Sequence, residues 1–383
     1  MKSWGKAPLL VVLGLGVLLG GCSSAPHVEK KKFMVKRHWL RSTPEGEYLH
    51  FRRMNRMKPV VTEKLVIEGN AIDRLTAYDR NTGKVRWVRE MRDGVEGGAQ
   101  IVDNTLYFGA SDGLFYALNA ETGDTLWTFP VRIETLGEPL VENDVVYFLA
   151  GNNVLYALNA KTGQQLWTYN RLDPSQLSIR GASRPLVIGP HLYLGFSDGS
   201  FVSLDKSKGT VAWEQNLNQN KRFRDVDATA VSDGDRIYVS SFDGALYCLD
   251  RKDGTIYWRL EEGGYAPVLV DKDVIYYGTS TGKMMALDKA SGKALWSKNN
   301  VRGVASSPVL YRGLLIYGES QGSLKILDAR TGSEVSEFKT GRGVTSSPYL
   351  DGTTGDIYFM SANAVLYALK LGWDIPHRVW PWE

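Results

Sequence analysis

The chain has 383 residues, of which 43% are hydrophobic and 23% are charged, so it is long and apolar enough to bury a large core. Its formal net charge is +4 and falls to about +2 without Lys2 and Lys6, which belong to a leader described below. This balance does not indicate nucleic-acid binding. The only cysteines are Cys22 and Cys248, and the first is assigned to the leader, so a disulfide framework is excluded.

The N-terminus has the features of a lipoprotein signal. A basic start precedes an apolar run from Ala7 to Leu19, which is shorter than the about 20 residues of a permanent membrane span. The sequence LGGC, ending at Cys22, resembles a lipobox, in which the cysteine is lipidated after cleavage. Serines follow it in place of an aspartate, which in bacterial lipoproteins implies the outer membrane. We expect a signal peptide over 1–21, a lipidated N-terminus and linker over 22–32, and a membrane-anchored protein that faces the periplasm.

A basic stretch follows the predicted anchor. Ten lysines and arginines lie between Lys30 and Lys58, where the acidic residues are Glu45 and Glu47. Two interpretations remain open. The stretch either contacts acidic lipid head groups beside the anchor or protects a solvated edge strand from aggregation.

The body of the chain is a repeat array. Seven segments share an Asp or Asn, a turn and a glycine, and six of them end in tryptophan: LTAYDRNTGKVRW, FYALNAETGDTLW, LYALNAKTGQQLW, FVSLDKSKGTVAW, LYCLDRKDGTIYW, MMALDKASGKALW and LKILDARTGSEVS. The last has Ser336 in the tryptophan position. The turn glycines are Gly83, Gly123, Gly163, Gly209, Gly254, Gly292 and Gly332, at intervals of 40, 40, 46, 45, 38 and 40 residues.

Each segment has the pattern of a β-hairpin. The Asp or Asn can accept turn N–H groups, and the glycine can adopt a positive φ. A second hairpin signal precedes each segment, as between Pro139 and Phe148. Four short strands in about 40 residues are typical of a β-propeller blade. We expect the tryptophans to fill the spaces between neighbouring blades.

The number of blades follows from the chain ends. An eighth copy, Leu366–Leu369, stops before its last strand, and Val35–Leu40 supplies a matching strand with Trp39 in the tryptophan position. Joining the two ends in one blade removes an open edge. We therefore predict an all-β, eight-bladed propeller of four-stranded antiparallel blades over residues 33–383, or seven blades if residues 33–70 do not complete the count.

The blade motif resembles that of quinoprotein dehydrogenases and their non-enzymatic relatives. The resemblance to the alcohol dehydrogenases implies an adjacent cysteine pair over the quinone, and this chain has no such pair. A quinone-dependent sugar dehydrogenase needs a catalytic histidine, and the only histidine within the repeats is His191, in the turn after Gly189. We expect that histidine to be solvent-exposed. We therefore predict no enzymatic activity and no cofactor.

Other motifs for chemistry are absent or weak. The sequence contains no GxSxG, HExxH or CxxC. The run from Asp351 to Asp356 resembles a calcium loop in composition but lacks a closing glutamate, so we expect a hairpin turn and no metal site. Cys248 occupies the strand position of Ala117 in another repeat, which predicts a small buried residue.

Two consecutive intervals, 46 and 45 residues, are longer than the others. Their extra residues lie between Trp167 and Pro185 and between Trp213 and Ala228. Both segments connect one blade to the next, so we expect them on the same face of the propeller. Loops on a rigid scaffold are where binding residues concentrate.

The two loops carry a more specific resemblance. LSIRG in the first and DVD in the second are similar to the BamB family, the propeller lipoproteins of the outer-membrane β-barrel assembly machinery. The resemblance implies docking of periplasmic domains of BamA, the barrel-bearing subunit. It makes Leu177 and Ile179 apolar anchors and Arg180 a fork for a carboxylate or backbone carbonyls. Asp225 and Asp227 either contact that partner or hold Arg180 in place.

Alternatives remain for the roles of the loop residues and for the function. Leu177 and Ile179 could pack beneath their own loop while Arg180 pairs internally with an aspartate. The function that the resemblance implies is a non-catalytic scaffold, which could also present a strand edge or concave surface to unfolded outer-membrane proteins. A propeller lipoprotein of another envelope complex is the rival within the binding class, and a quinone-dependent dehydrogenase is the rival enzyme.

Overall fold

The computed structural model describes Met1 and residues 32–43, 54–171, 183–217, 225–226, 228–242, 244–299 and 301–374. Residues Phe33–Gly372 form one compact unit, which carries the fold described here. The second unit is Met1–Lys32 with Trp373–Glu383, most of which lies outside the described residues. The predicted signal peptide beyond Met1 and the lipidation site Cys22 also lie outside them.

The described chain forms 32 strands in eight four-stranded sheets. Blades 1 to 4 comprise β2 Val60–Val61, β3 Leu65–Gly69, β4 Arg74–Asp79 and β5 Val85–Glu90; β6 Ala99–Val102, β7 Thr105–Gly109, β8 Leu114–Asn119 and β9 Thr125–Pro130; β10 Leu140–Glu142, β11 Val145–Leu149, β12 Val154–Asn159 and β13 Gln165–Asn170; β14 Leu186–Ile188, β15 His191–Gly195, β16 Ser200–Asp205 and β17 Val211–Asn216. Blades 5 to 7 comprise β18 Val231–Asp233, β19 Arg236–Ser240, β20 Leu246–Asp250 and β21 Ile256–Leu260; β22 Leu269–Asp271, β23 Val274–Gly278, β24 Met284–Asp288 and β25 Ala294–Lys298; β26 Val309–Tyr311, β27 Leu314–Gly318, β28 Leu324–Asp328 and β29 Glu334–Phe338.

Blade 8 joins the two ends of the chain. It contains β30 Tyr349–Leu350, β31 Asp356–Met360, β32 Val365–Asp374 and, as its outermost strand, β1 Lys32–Ser42. The N–H of Thr43, just after β1, donates to the carbonyl of Ala364, just before β32, at 3.0 Å, so these strands run antiparallel. The predicted eight-bladed, all-β fold with an N-terminal closing strand is therefore confirmed.

Strand direction divides the ring of blades into two faces. In every blade the first and third strands run one way and the second and fourth run the other, because all neighbours are antiparallel. The connections from one blade to the next therefore lie on one face, which we call the loop face. The turns between first and second strands and between third and fourth strands lie on the opposite face, which we call the turn face.

The core lies between the blades. Eight hydrophobic clusters each combine residues of two neighbouring blades, and one of them joins blade 8 to blade 1. Between blades 2 and 3, for example, the rings of Phe115 and Phe148 stack with centroids 4.1 Å apart. Each blade therefore buries both of its faces against neighbours, which requires the ring to close.

The repeated tryptophans lie where the repeat pattern predicts. Trp87 of blade 1 covers Gly123 of blade 2, where a Cβ would lie 2.9 Å from the indole and where φ is +78°. Its Nε1 donates to the carbonyl of Ala120 in the same turn at 3.0 Å. The same donation, at 2.9–3.2 Å, links Trp39 to Arg80, Trp127 to Ala160, Trp167 to Lys206, Trp213 to Arg251, Trp258 to Lys289 and Trp296 to Ala329.

The seventh blade has different residues at the positions that hold the tryptophan and its cross-strand neighbours in the other repeats. In blade 2 the cross-strand row is Tyr107, Ala117 and Trp127, in which a small central residue separates two large rings. In blade 7 the corresponding row is Ile316, Ile326 and Ser336. Blade 8 has no turn between its third and fourth strands, because its fourth strand is β1, so no turn glycine faces Ser336. Tyr311 contacts a different turn of blade 8, between first and second strands, where its hydroxyl would lie 2.6 Å from a Cβ on Gly355.

Candidate functional site

Three blade-to-blade connections on the loop face are longer than the others, as the bounds of the flanking strands show. Residues 171–185 and 217–230 connect blades 3 to 4 and 4 to 5, and the connections between other consecutive blades, from blade 1 to blade 8, have 8 to 10 residues. The prediction of two adjacent enlarged loops on one face is confirmed. A third long connection, residues 43–59, joins blade 8 to blade 1. No glycine interval marks this connection in the sequence, because it precedes the first turn glycine.

Most of the predicted contact residues lie outside the described residues. These are Leu177, Ile179 and Arg180 in the first loop and Asp227 in the second. Asp225 is described, and none of its surface is exposed. Its carbonyl accepts the N–H of Phe242 at 3.2 Å. The side chain of Asp225 is therefore buried within the chain in this structure.

Arg171 fixes the start of the first loop. Its Nη2 and Nη1 donate to the two carboxylate oxygens of Glu214 at 2.6 and 3.0 Å, and its Nε donates to Asp198. The guanidinium also lies 6.0 Å from the ring of Phe196. All three partners belong to blade 4, so one fully charged side chain attaches the end of blade 3 to the next blade.

The end of the first loop is attached to the second loop. The Arg184 N–H donates to Oγ1 of Thr229 at 3.0 Å, which joins the two connections directly. The Arg184 guanidinium lies 3.1 Å from a carboxylate oxygen of Glu138 in the connection from blade 2 to blade 3. Burial raises the pKa of Glu138, and the positive charge of Arg184 partly offsets this effect. The two loops therefore share one anchored base.

Blade 4 holds the second loop at both ends. The Leu217 N–H donates to the carbonyl of Gly199 at 2.9 Å, and the Val226 N–H donates to the carbonyl of Phe196 at 3.1 Å. A Cβ on Gly195 would lie 2.2 Å from the carbonyl oxygen of Val226, so only glycine permits this approach. The positions from which both loops leave the blades are consequently set by blade 4.

The described part of the third connection is also anchored. Asn55 is fully buried, its Oδ1 accepts the N–H of Ala71 at 2.9 Å, and its carbonyl accepts the hydroxyl of Thr345 at 2.6 Å. Asn55 therefore links blade 1 to the connection that enters blade 8. No sequence motif marked it, because an asparagine in an unpatterned loop has no periodic signal.

Of the three other sequence predictions that concern reactive or metal-binding side chains, one is wrong and two are confirmed. His191 is the first residue of β15 and is half-buried, so the expectation of an exposed turn histidine is wrong: the strand begins earlier than the turn signal indicates. Cys248 is a buried free thiol, and burial raises its pKa to about 11, as expected for a small core residue. The run from Asp351 to Asp356 is a hairpin turn, closed by the N–H of Asp351 on the carbonyl of Asp356 at 2.8 Å.

The described residues hold neither a metal-binding cluster nor a membrane-spanning helix. No group of three or more acidic, histidine or cysteine side chains is placed to hold a metal ion in that part of the chain. No helix among the same residues is long and apolar enough to cross a membrane.

Comparison with known proteins places the chain in a family. The family model described as "Outer membrane protein assembly factor BamB" matches residues 71–298 and 247–372. A protein of that name from Pseudomonas aeruginosa is 35% identical over 327 residues, which cover 81% of this chain and 84% of the relative. Another from Kangiella koreensis is 34% identical over 278 residues, which cover 71% of each chain.

Solved structures show the same fold. The crystal structure of BamB from Moraxella catarrhalis superposes with a TM-score of 0.77 at 20% identity, and the match covers 88% of this chain and all of that one. A quinohemoprotein alcohol dehydrogenase from Comamonas testosteroni superposes with a TM-score of 0.74 at 16% identity, over 88% of this chain and 76% of the enzyme. At these identities the likeness concerns the fold alone.

The closed ring and its jointly anchored loops define a β-propeller of the quinoprotein-like class, with an elaborated loop face. Fold likeness does not distinguish the enzymes of this class from its other members. The sequence matches do, and this chain belongs to the BamB family of outer membrane protein assembly factors.

Proposed function

We propose that the protein is a non-catalytic scaffold subunit of the outer-membrane protein assembly machinery, which docks periplasmic domains of a BamA-type barrel subunit. In this proposal Cys22 carries the lipid anchor and the protein faces the periplasm. Leu177 and Ile179 insert as apolar anchors, and Arg180 binds a carboxylate or backbone carbonyls of the partner.

One observation carries this proposal. Two enlarged connections, 171–185 and 217–230, are adjacent on the loop face and leave from one rigid base, through the bond between Arg184 and Thr229. A rigid base reduces the entropy lost when a loop binds a partner. The printed names of the relatives, outer membrane protein assembly factors, supply the complex in which such a docking site has a use.

Co-purification from membrane extracts tests the docking site. A tagged wild-type protein is expected to recover a large β-barrel protein, and Arg180→Ala is expected to recover at least fivefold less. Arg330→Ala is the matched control, because Arg330 is an exposed arginine on the turn face. Recovery of no β-barrel protein by the wild type would exclude the assembly function. An equal reduction of recovery by Arg180→Ala and Arg330→Ala would show that Arg180 is not part of the docking site.

Asp225 is proposed to act through the loop and not by contact. Because its side chain is buried, Asp225→Ala is expected to reduce both partner recovery and thermal stability. Arg180→Ala is expected to reduce recovery alone. An Asp225 variant with normal stability and reduced recovery would instead support direct contact after a local rearrangement.

A second role, binding of unfolded outer-membrane proteins at a strand edge, is favoured by two outermost strands. β9 (TLWTFP) and β13 (QLWTYN) contain no charged residue, whereas every other outermost strand has at least one. Leu126 and Leu166 expose 54% and 51% of their surface on these edges. Uncharged edges with exposed apolar residues accept a further strand.

The edge role is tested with a urea-unfolded porin diluted into buffer with the protein. A double variant, Thr128→Lys with Thr168→Lys, is expected to reduce crosslinking to the porin, because charges on an edge oppose strand pairing. Ser297→Lys on β25 is the control, since that strand already carries Lys298. Unchanged crosslinking in the double variant would exclude these edges.

The rival enzymatic function predicts quinone-dependent dye reduction. We expect no reduction when the purified protein is supplied with pyrroloquinoline quinone and calcium. Measurable turnover would replace the scaffold proposal with an enzymatic one. Co-purification with a different envelope complex would favour the other rival, a scaffold of that complex.

A further inference from the structure

Four exposed arginines lie on the loop face outside the two enlarged loops. They are Arg92, Arg132, Arg302 and Arg342, in the connections from blade 1 to 2, 2 to 3, 6 to 7 and 7 to 8. All four are exposed, and the side chain of Arg92 retains 90% of its accessible surface. Arg92 and Arg342 flank blades 8 and 1, across the ring from blade 4, whereas the connection of Arg132 also contains Glu138, which pairs with Arg184 at the end of the first enlarged loop.

Three of these arginines occupy the same backbone position. Each directly follows a buried apolar residue whose N–H donates to the turn between second and third strands of its own blade: Met91 to Asp73 at 2.6 Å, Val131 to Gly113 at 3.0 Å and Val301 to Gly282 at 3.2 Å. The backbone beneath each guanidinium is therefore fixed. Arg342 lies between Gly341 and Gly343 in the equivalent connection of blade 7.

The charges of these arginines are not neutralised by strong ion pairs within the described residues. Arg92 lies 3.7 Å from the neighbouring Asp93, and an ion pair so exposed contributes little to stability. Arg132, Arg302 and Arg342 make no ion pair with any residue that the structure describes. Unpaired guanidinium groups on fixed backbone are suited to carboxylate or phosphate ligands.

The direction of β1 decides between two anionic partners. Phe33, at the start of β1, packs with Tyr311 and Leu371, both next to turn-face hairpins. β1 thus begins at the turn face. In the proposed lipid-anchored form the anchored segment joins the propeller on that side, which favours a protein ligand over lipid head groups for the loop face.

We propose that Arg92, Arg132, Arg302 and Arg342 form a second docking surface, which binds an acidic polypeptide segment of a partner. This surface lies beyond the proposed docking loops and does not depend on them. It would bind through several charge-assisted hydrogen bonds, so its affinity falls as salt rises.

Fluorescent poly-L-glutamate is the probe, and the full-length lipidated protein in neutral detergent is the sample. The variant replaces all four arginines with glutamine. A matched control replaces four exposed turn-face cations, Lys84, Lys208, Lys293 and Arg330, with glutamine, so that both variants lose four positive charges. Anisotropy at low salt is expected to show at least tenfold weaker binding by the loop-face variant and less than a twofold change in the control.

Three outcomes would overturn the proposal. Equal weakening in both variants would show a net-charge effect. No binding of poly-L-glutamate by the wild type would exclude an acidic polypeptide ligand. A loop-face variant that differs from the wild type only in mixed micelles containing phosphatidylglycerol would assign the arginines to lipid binding.

If the quadruple variant unfolds more readily than the wild type, the double variant Arg302→Gln with Arg342→Gln replaces it. Its binding of poly-L-glutamate is expected to be at least threefold weaker than that of the wild type. Normal peptide binding by Arg180→Ala keeps this test separate from the proposed docking loops.

Discussion

Trp39 covers Gly83 across the boundary where the ring closes. A Cβ on Gly83 would lie 2.6 Å from the indole, and the indole Nε1 donates to the carbonyl of Arg80 at 2.9 Å. The first strand of the chain thereby holds blade 8 against blade 1 with the same contact that joins six other pairs of blades.

Trp39→Ala is expected to lower the free energy of unfolding by about 3–5 kcal/mol, because it removes a buried indole from the closing interface. Urea denaturation measures this loss. Val88→Ala, at an exposed position of an outermost strand, is the control and is expected to change stability by less than about 0.5 kcal/mol. A loss no larger than that of the control would contradict the role of Trp39 in closure.

Asp351→Asn tests the ion pair at the same boundary. Nη2 of Arg80 lies 2.6 Å from a carboxylate oxygen of Asp351, and this hydrogen bond holds the pKa of Asp351 at about 2. A lowered pKa stabilises the fold above the unfolded value of about 4, and this contribution is lost as the pH falls towards 2. We expect a loss of about 1–2 kcal/mol at pH 7 and a smaller loss at pH 3.

The control for Asp351 is a pair of similar distance at the surface. Lys161 and Asp144 lie 2.9 Å apart, with 73% and 63% of their side chains exposed. Asp144→Asn is expected to cost less than about 0.5 kcal/mol at either pH. If the two variants behave alike, burial of the Arg80 pair is not what makes it stabilising.

Glu68→Met is expected to stabilise the protein. Glu68 is fully buried on β3, and neither of its carboxylate oxygens has a hydrogen-bond partner among the residues that the structure describes. The cross-strand partners place Phe108 and Phe148 at the same position in the next two blades. We expect a gain of about 1–3 kcal/mol at pH 7, since an unpaired buried polar group is costly.

The pH dependence distinguishes this gain from a simple packing effect. Burial raises the pKa of Glu68, so its destabilising effect is smallest below the unfolded value of about 4.3 and grows as the pH rises from there to the folded pKa. The advantage of Glu68→Met should therefore be larger at pH 7 than at pH 4. A gain independent of pH would contradict this account.

Ser336→Trp tests the alternative packing of blade 7. Although the change restores the residue found in six other repeats, we expect a loss of about 1–3 kcal/mol from overpacking against Ile326, because blade 8 has no turn between third and fourth strands for the indole to cover. Combining it with Ile326→Ala makes room beside the indole and should recover part of the loss. Stabilisation by Ser336→Trp alone would show that the interface is underfilled.

Much of the site could not be predicted from sequence. The intervals between turn glycines correctly located the connections 171–185 and 217–230, because an insertion between regular repeats is visible as a change in spacing. The burial of Asp225 was not visible, because an aspartate beside a loop has no periodic pattern. The third long connection, 43–59, was missed because it precedes the first turn glycine.

The sequence by itself determined the blade count, the turn chemistry, the tryptophan positions and the use of Val35–Leu40 as the closing strand. These features are encoded within repeats of about 40 residues, where local hydrogen bonding and strand alternation act. Only the tertiary structure decided that Arg80 meets Asp351, 271 residues away, and that Tyr311 packs against the turn of Gly355 in the next blade. Such pairs depend on which blades become neighbours when the ring closes, and no local pattern specifies that contact.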